Sequence, residues 1–166
     1  MCGDNMESFE LTFFVPQKLK INSCISEMKS VMNQFMGAEL HTEVQIFEHE
    51  ENDFLEIEFA IYDFNITKES FHFIIRKLTH FVEFVFDLLD SAAIATGIYE
   101  LTYYYTEQIN RLSDFNENTL RNFPLYFLRK TEVNRGNTTH IIYESDKIAC
   151  FYNENAQQIV QTDNIP

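Results

Sequence analysis

The chain has 166 residues, of which 26 are acidic and 12 basic, for a formal charge of −14, and 45% are hydrophobic, including 17 Phe and 8 Tyr. That length and apolar content suit a single domain with a substantial core and exclude a disordered tail. A field of this sign repels phosphate backbones and anionic lipid, so it disfavours nucleic acid and membrane as partners and favours a basic protein, although acidity also serves plain solubility. The charge is uneven: residues 1–107 hold 19 acidic against 6 basic residues, a net of −13, whereas residues 108–166 hold 7 against 6, a net of −1.

Three cysteines, Cys2, Cys24 and Cys150, are too scattered for a disulfide framework and form no C-x-x-C pair for zinc, so reduced thiols in a cytoplasmic protein are expected. The N-terminus lacks the apolar stretch of a signal peptide, and Cys2 lacks the basic neighbours or second anchor of an acylated protein. The longest apolar tract, Phe71–Leu89, is interrupted by Arg76, Lys77, His80, Glu83 and Asp87 and cannot span a bilayer.

In chain order, Phe9, Leu11, Phe13 and Val15 alternate with Glu10, Thr12 and Phe14, which predicts a first strand ending at Pro16. Asn22 or Ser23 can cap the helix that follows, in which Ile25, Met28, Met32 and Phe35 share a face and Gly37 is the stop. Residues 39–63 then hold nine acidic residues and no Lys or Arg. Leu40, Val44 and Ile46 alternate, and Leu55, Ile57, Phe59 and Ile61 do the same after a polar break, so this stretch predicts a hairpin with one buried face. Its other face carries Glu39, His41, Glu43, Gln45, Glu56 and Glu58. Folding asks for no such charges, and carboxylates directly opposite one another would cost a few tenths to about 1 kcal/mol each.

Ser70 precedes the run Phe71–Leu89, apolar nearly all round, whose polar residues His72, Arg76, His80, Glu83 and Asp87 form one narrow stripe best read as a polar edge paired within itself. A helix of this kind needs cover on more than one side, from the sheet and from either the C-terminal segment or a second copy of the chain. Residues 93–105 predict a long strand with a bulge at Gly97. Strand, helix, strand, strand, helix, strand is the order of a ferredoxin-like βαββαβ core, an α+β fold with two helices on one face of an antiparallel sheet. The core is expected over residues 8–105 of a single domain, with Glu10, Thr12 and Phe14 beside Glu56 and Glu58 on the open face, flanked by Glu39, His41, Glu43, Glu100, Thr102 and Tyr104. Residues 106–166 form an extension. Its expected parts are a short helix at 108–112, a polar loop at 113–118, an ambiguous stretch at 119–130 broken by Pro124, a hairpin about Ser145-Asp146, and a loose tail from residue 157.

The open acidic face, with aromatic and His side chains interleaved (Phe14, His41, Phe47, Phe54, Tyr62, Tyr104), is the constellation that points furthest. Carboxylates steer a cationic partner while aromatic anchors hold it. His41 with Glu43 and Glu56 or Glu58 could instead ligate a metal or act as acid and base, without diagnostic spacing. His80 and Glu83 lack the partner helices of a bundle metal site, Tyr103-Tyr104-Tyr105 lacks the basic groove of a nucleic-acid platform, and Arg135-Gly136-Asn137 is a turn, not a phosphate loop. No catalytic motif and no cofactor signature occurs. The expectation is therefore a protein-binding module, not an enzyme. It would neutralise a basic partner as an antitoxin or immunity protein does, for example a nuclease toxin, through Glu39, His41, Glu43, Glu56, Glu58 and Tyr62. The alternatives are a ferredoxin-like ligand-binding or metal-binding domain or enzyme, and a homodimer through the Phe71–Leu89 helix.

Overall fold

The computed structural model describes residues 8–16, 24–37, 41–62, 64–89, 94–99, 110–115, 117–120, 123–133 and 141–153. Glu39, Leu40, Asn22, Ser23, Cys2, residues 100–109, Arg135-Gly136-Asn137 and the tail from residue 157 lie outside them, and so do the expectations placed there.

The fold is α+β, with antiparallel strands and two long helices. In chain order come β1 (Ser8–Pro16), α1 (Ile25–Met36), β2 (His41–Glu48), β3 (Phe54–Tyr62), α2 (Phe71–Leu89), β4 (Ile94–Tyr99), β5 (Leu125–Arg129), β6 (Ile141–Glu144) and β7 (Ile148–Tyr152). Two three-stranded antiparallel units, β2-β3-β1 and β5-β7-β6, are joined through β4, so the strands run β2-β3-β1-β4-β5-β7-β6. No helix among the described residues is long and apolar enough to cross a membrane.

Alternation sets the register. Phe9, Leu11, Phe13 and Val15 of β1 face Ile61, Phe59, Ile57 and Leu55 of β3. A one-residue slip would turn every one of them to the opposite side of the sheet. Met28 and Met32 of α1 and Leu78, Phe81, Val82 and Val85 of α2 close over this side. Phe13 sits at the centre, its ring 5.7 Å from Phe59 and 6.1 Å from both Phe81 and Phe86, all edge-on, the arrangement ring quadrupoles prefer.

Helix ends follow local chemistry. Gly37 ends α1 at φ 70°, and its N–H reaches the carbonyls of Asn33 and Gln34. A side chain at that left-handed position would be strained. The residue at the start of α1 is Cys24, later than Asn22 or Ser23, and it makes no side-chain cap. In the turn ahead of α2, Ser70 Oγ accepts the Thr67 N–H at 2.9 Å and Thr67 Oγ1 accepts the Ser70 N–H at 3.2 Å, a reciprocal pair that fixes the chain's entry into the helix.

The polar stripe of α2 pairs with the C-terminal hairpin rather than within itself. Glu83 accepts from the Ser145 hydroxyl and, at 2.8 Å, from the Lys147 N–H; Lys147 Nζ lies 3.1 Å from both Asp87 oxygens. His80 Nε2 is 2.9 Å from the Tyr143 hydroxyl, and the Arg76 guanidinium stands over the Tyr143 ring. The hairpin turns at Asp146-Lys147 without glycine. Its closing pair is braced by the Ser145 N–H on the Ile148 carbonyl and the Ile148 N–H on Ser145 Oγ. Charge-assisted bonds from a helix side chain thus hold a turn whose own sequence is a poor turn former.

Other expectations shift in detail. β4 pairs with β1 in unbroken register from Ile94 to Tyr99, Gly97 opposite Leu11, so Gly97 makes no bulge. The irregularity lies in β6, between Ile141 and Tyr143. Leu112 opens a 3-10 turn to Asp114 instead of closing a helix, Glu117–Leu120 is one helical turn straddling the expected polar loop and the ambiguous stretch, and that stretch becomes β5 after Pro124.

The largest correction concerns Phe14. It is 1% exposed, packed with Phe54, Phe115, Leu120 and Phe123 in a second apolar cluster on the face expected to be open. Asp53 fastens this cover: its N–H donates to the Asn110 carbonyl and its carboxylate accepts the Leu112 N–H at 2.6 Å. A large ring beside a chain segment carrying Phe115 and Phe123 gains more by burial than by exposure, about 1.5 to 3 kcal/mol.

Phe14→Ala is expected to cost about 3 to 5 kcal/mol in urea unfolding; a loss under about 1 kcal/mol would mean that the second cluster is not packed. Thr42 is 8% exposed on β2 and its hydroxyl has no partner among the described residues. Thr42→Val, nearly isosteric, is therefore expected to raise the urea midpoint, by about 1 kcal/mol of stability.

Candidate partner-binding face

The side of the β2-β3-β1 unit away from the helices is read row by row from its register. Phe47, Glu56 and Phe14 form the first row; Gln45, Glu58 and Thr12 the second; Glu43, Ala60 and Glu10 the third; His41, Tyr62 and Ser8 the fourth. Neighbours in a row have Cβ atoms roughly 4.5 to 5.5 Å apart. The first row abuts the Phe14 cluster, so Phe115, Leu120 and Phe123 cover one end of the face. His41, Glu43 and Gln45 are exposed, and Glu10, Thr12, Glu56, Glu58 and Tyr62 are half-buried.

Of the residues singled out from sequence, His41, Glu43, Glu56, Glu58 and Tyr62 share this side, and Glu39 lies outside the described residues. Among the described residues, no carboxylate stands directly opposite another. Glu43 faces Ala60, Glu58 faces Gln45 and Thr12, and Glu56 faces Phe47 and Phe14. The repulsion expected from opposed charges is thereby moved to diagonals, where it is weaker, and the cost of the acidity is smaller than the sequence implied.

The charges still perturb one another. Burial raises the Glu56 carboxyl above its ordinary 4.5, against an opposing pull from His49 and with a further push from Glu58. Burial alone raises Glu58. The Tyr62 phenol is pushed up from 10.0 by burial first, then by the charge of Glu43 and the bond to it, and then by Glu10 and Glu58. That bond runs from the Tyr62 hydroxyl to Glu43 Oε2 at 3.2 Å, and the His41 ring lies 5.0 Å from the Tyr62 ring. His41, Tyr62 and Glu43 therefore form one locally ordered group at the end of the face opposite the Phe14 cover.

Sequence reasoning passed over His49, whose influence on Glu56 comes from the turn beyond β2, and left Glu10 out of the site although it acts on Tyr62. Alternation placed Glu10 on the correct side; only the register placed it beside Ala60. Among the described residues, no group of three His, Cys, Asp or Glu is gathered to hold a metal ion, and His41, Glu43 and Glu58 fall on three successive rows. Comparison with protein-family models, with curated proteins and with solved structures finds no match.

A carboxyl whose folded pKa is raised stabilises the fold below its unfolded pKa and loses that contribution as pH rises through the folded value. Glu58→Gln is accordingly expected to raise the melting temperature at pH 7, with the gain shrinking to nothing as pH falls below 4.5. An equal gain at both pH values would show that burial of the charge is not its cause.

Proposed function

We propose that this chain is an acidic protein-binding module whose β2-β3-β1 face docks on a basic protein and masks it, in the manner of an antitoxin or immunity protein acting on a toxin such as a nuclease. The observation that carries the reading is the row arrangement itself: Glu10, Glu43 and Glu58 stand around Ala60 on paired strands, beside Tyr62 and His41. Strands held by a packed core keep carboxylates at fixed spacing, as a cationic active site that normally receives phosphates would require. Tyr62 and His41 supply ring surface next to those charges, the usual make-up of a binding anchor.

The architectural part of the reading is a ferredoxin-like βαββαβ unit with a C-terminal extension. The strand order β2-β3-β1-β4 and the two intervening helices support it. Cytoplasmic residence is supported by Cys150, a buried thiol held outside any disulfide. A homodimer through α2 is the second reading, favoured by Phe73, which is 58% exposed on that helix. Light scattering separates the two: a monomer whose mass is unchanged by Phe73→Ser leaves the acidic face as the site.

The principal test is affinity capture from the source cells with the full chain and with a Glu43→Lys/Glu58→Lys variant. The expected result is a basic protein retained by the parent, released by half-molar salt, and held at least tenfold more weakly by the variant. Retention of the same protein by both, insensitive to salt, would exclude this face as the contact.

A further inference from the structure

The two edges of the sheet are built differently. Among the described residues β6 spans four, and its pairing with β7 slips between Ile141 and Tyr143. Short length and a bulge are standard protections against a further strand. β2, at the other edge, is eight residues long and in unbroken register with β3 from His41 to Glu48. It contains no Pro, no Lys and no Arg, and no described strand pairs with its outer side. Every second N–H and C=O along that side is therefore aimed away from β3.

The side chains of β2 set what can lie against it. Val44 and Ile46, half-exposed, form an apolar row on the helix side of the sheet. On the other side His41, Glu43 and Gln45 are exposed. Glu48 closes the strand, and Glu50 and Glu51 follow it, all exposed. A second copy of this chain would bring the same carboxylates and another −14 of charge to the junction, which opposes self-pairing.

We infer that β2 is a strand-addition site for an extended segment of a basic partner, one that alternates cationic and β-branched residues. Its main chain completes the ladder with β2, its apolar residues meet Val44 and Ile46, and its cations meet Glu43 and the acidic turn beyond Glu48. This inference rests on the proposed acidic binding face and specifies how the partner engages it.

The probe is a capped nonapeptide of alternating Lys and Val, titrated into the full-length protein beside a control of identical sequence and charge with every backbone nitrogen methylated. The expected result is at least tenfold tighter binding of the unmethylated peptide, with new protection from hydrogen exchange confined to residues 41–48. Val44→Pro and Gln45→Pro give an independent check, because one of these adjacent N–H groups points outward; that variant should melt like the parent and bind the peptide at least tenfold more weakly. Equal binding of the two peptides would overturn strand addition and leave the acidic face standing. Failure of both peptides to bind would overturn strand addition and the cationic preference together. Peptide-independent dimerisation lost in the proline variants would assign the edge to a second copy and overturn the inference.

Discussion

Everything in this fold depends on two adjacent phenylalanines of β1 that point to opposite sides of the sheet. Phe13 projects one way into Phe59, Phe81 and Phe86, and so sets where α2 lies across β1 and β3. Phe14 projects the other way, with Phe115 at 4.6 Å and Phe54 at 5.7 Å. Two consecutive phenylalanines thus nucleate two cores separated by the thickness of one sheet. Neither core could move without dragging the other, since close-packed interiors have no slack to absorb a shift.

That double anchoring shapes the candidate binding face. The Phe14 cluster occupies one end of the non-helical side, which leaves the carboxylates of Glu10, Glu43 and Glu58 toward the other end, near Tyr62. Spacing the charges on diagonals weakens their mutual repulsion, while their fields still add up outside the sheet. Half-burial of Glu56 and Glu58 adds to this, because a charge in a less aqueous setting is felt more strongly by an approaching cation.

Much of the fold was legible because its signals were periodic. Phe9, Leu11, Phe13 and Val15, and Leu55, Ile57, Phe59 and Ile61, alternate as strands should, and Gly37 ends α1 where a left-handed residue is needed. The C-terminal hairpin was expected about Ser145-Asp146 and is found between Ile141–Glu144 and Ile148–Tyr152, its turn one residue later. Residues 110–133 were not legible, since a 3-10 turn, one helical turn and a five-residue strand are too short to impose a period. Phe14 was misplaced because alternation assigns a side to a residue and says nothing of what else will cover that side. The same gap concealed the role of α2's polar stripe: spacings of three and four suggested pairs along the helix, and only the fold brings Tyr143, Ser145 and Lys147 to them. For the candidate site, strand parity grouped five of its six residues, whereas the absence of directly opposed charges required the register.

Cys150 of β7 is fully buried, and burial drives its thiol far above the ordinary range even though Thr79 pulls it back a little. Thiolate is the reactive form, so this sulfur is chemically silent for as long as β7 stays seated against α2. Alkylation of Cys150 therefore requires the core around β7 to open, so the rate of that reaction reads local unfolding at the junction of α2 and the C-terminal hairpin.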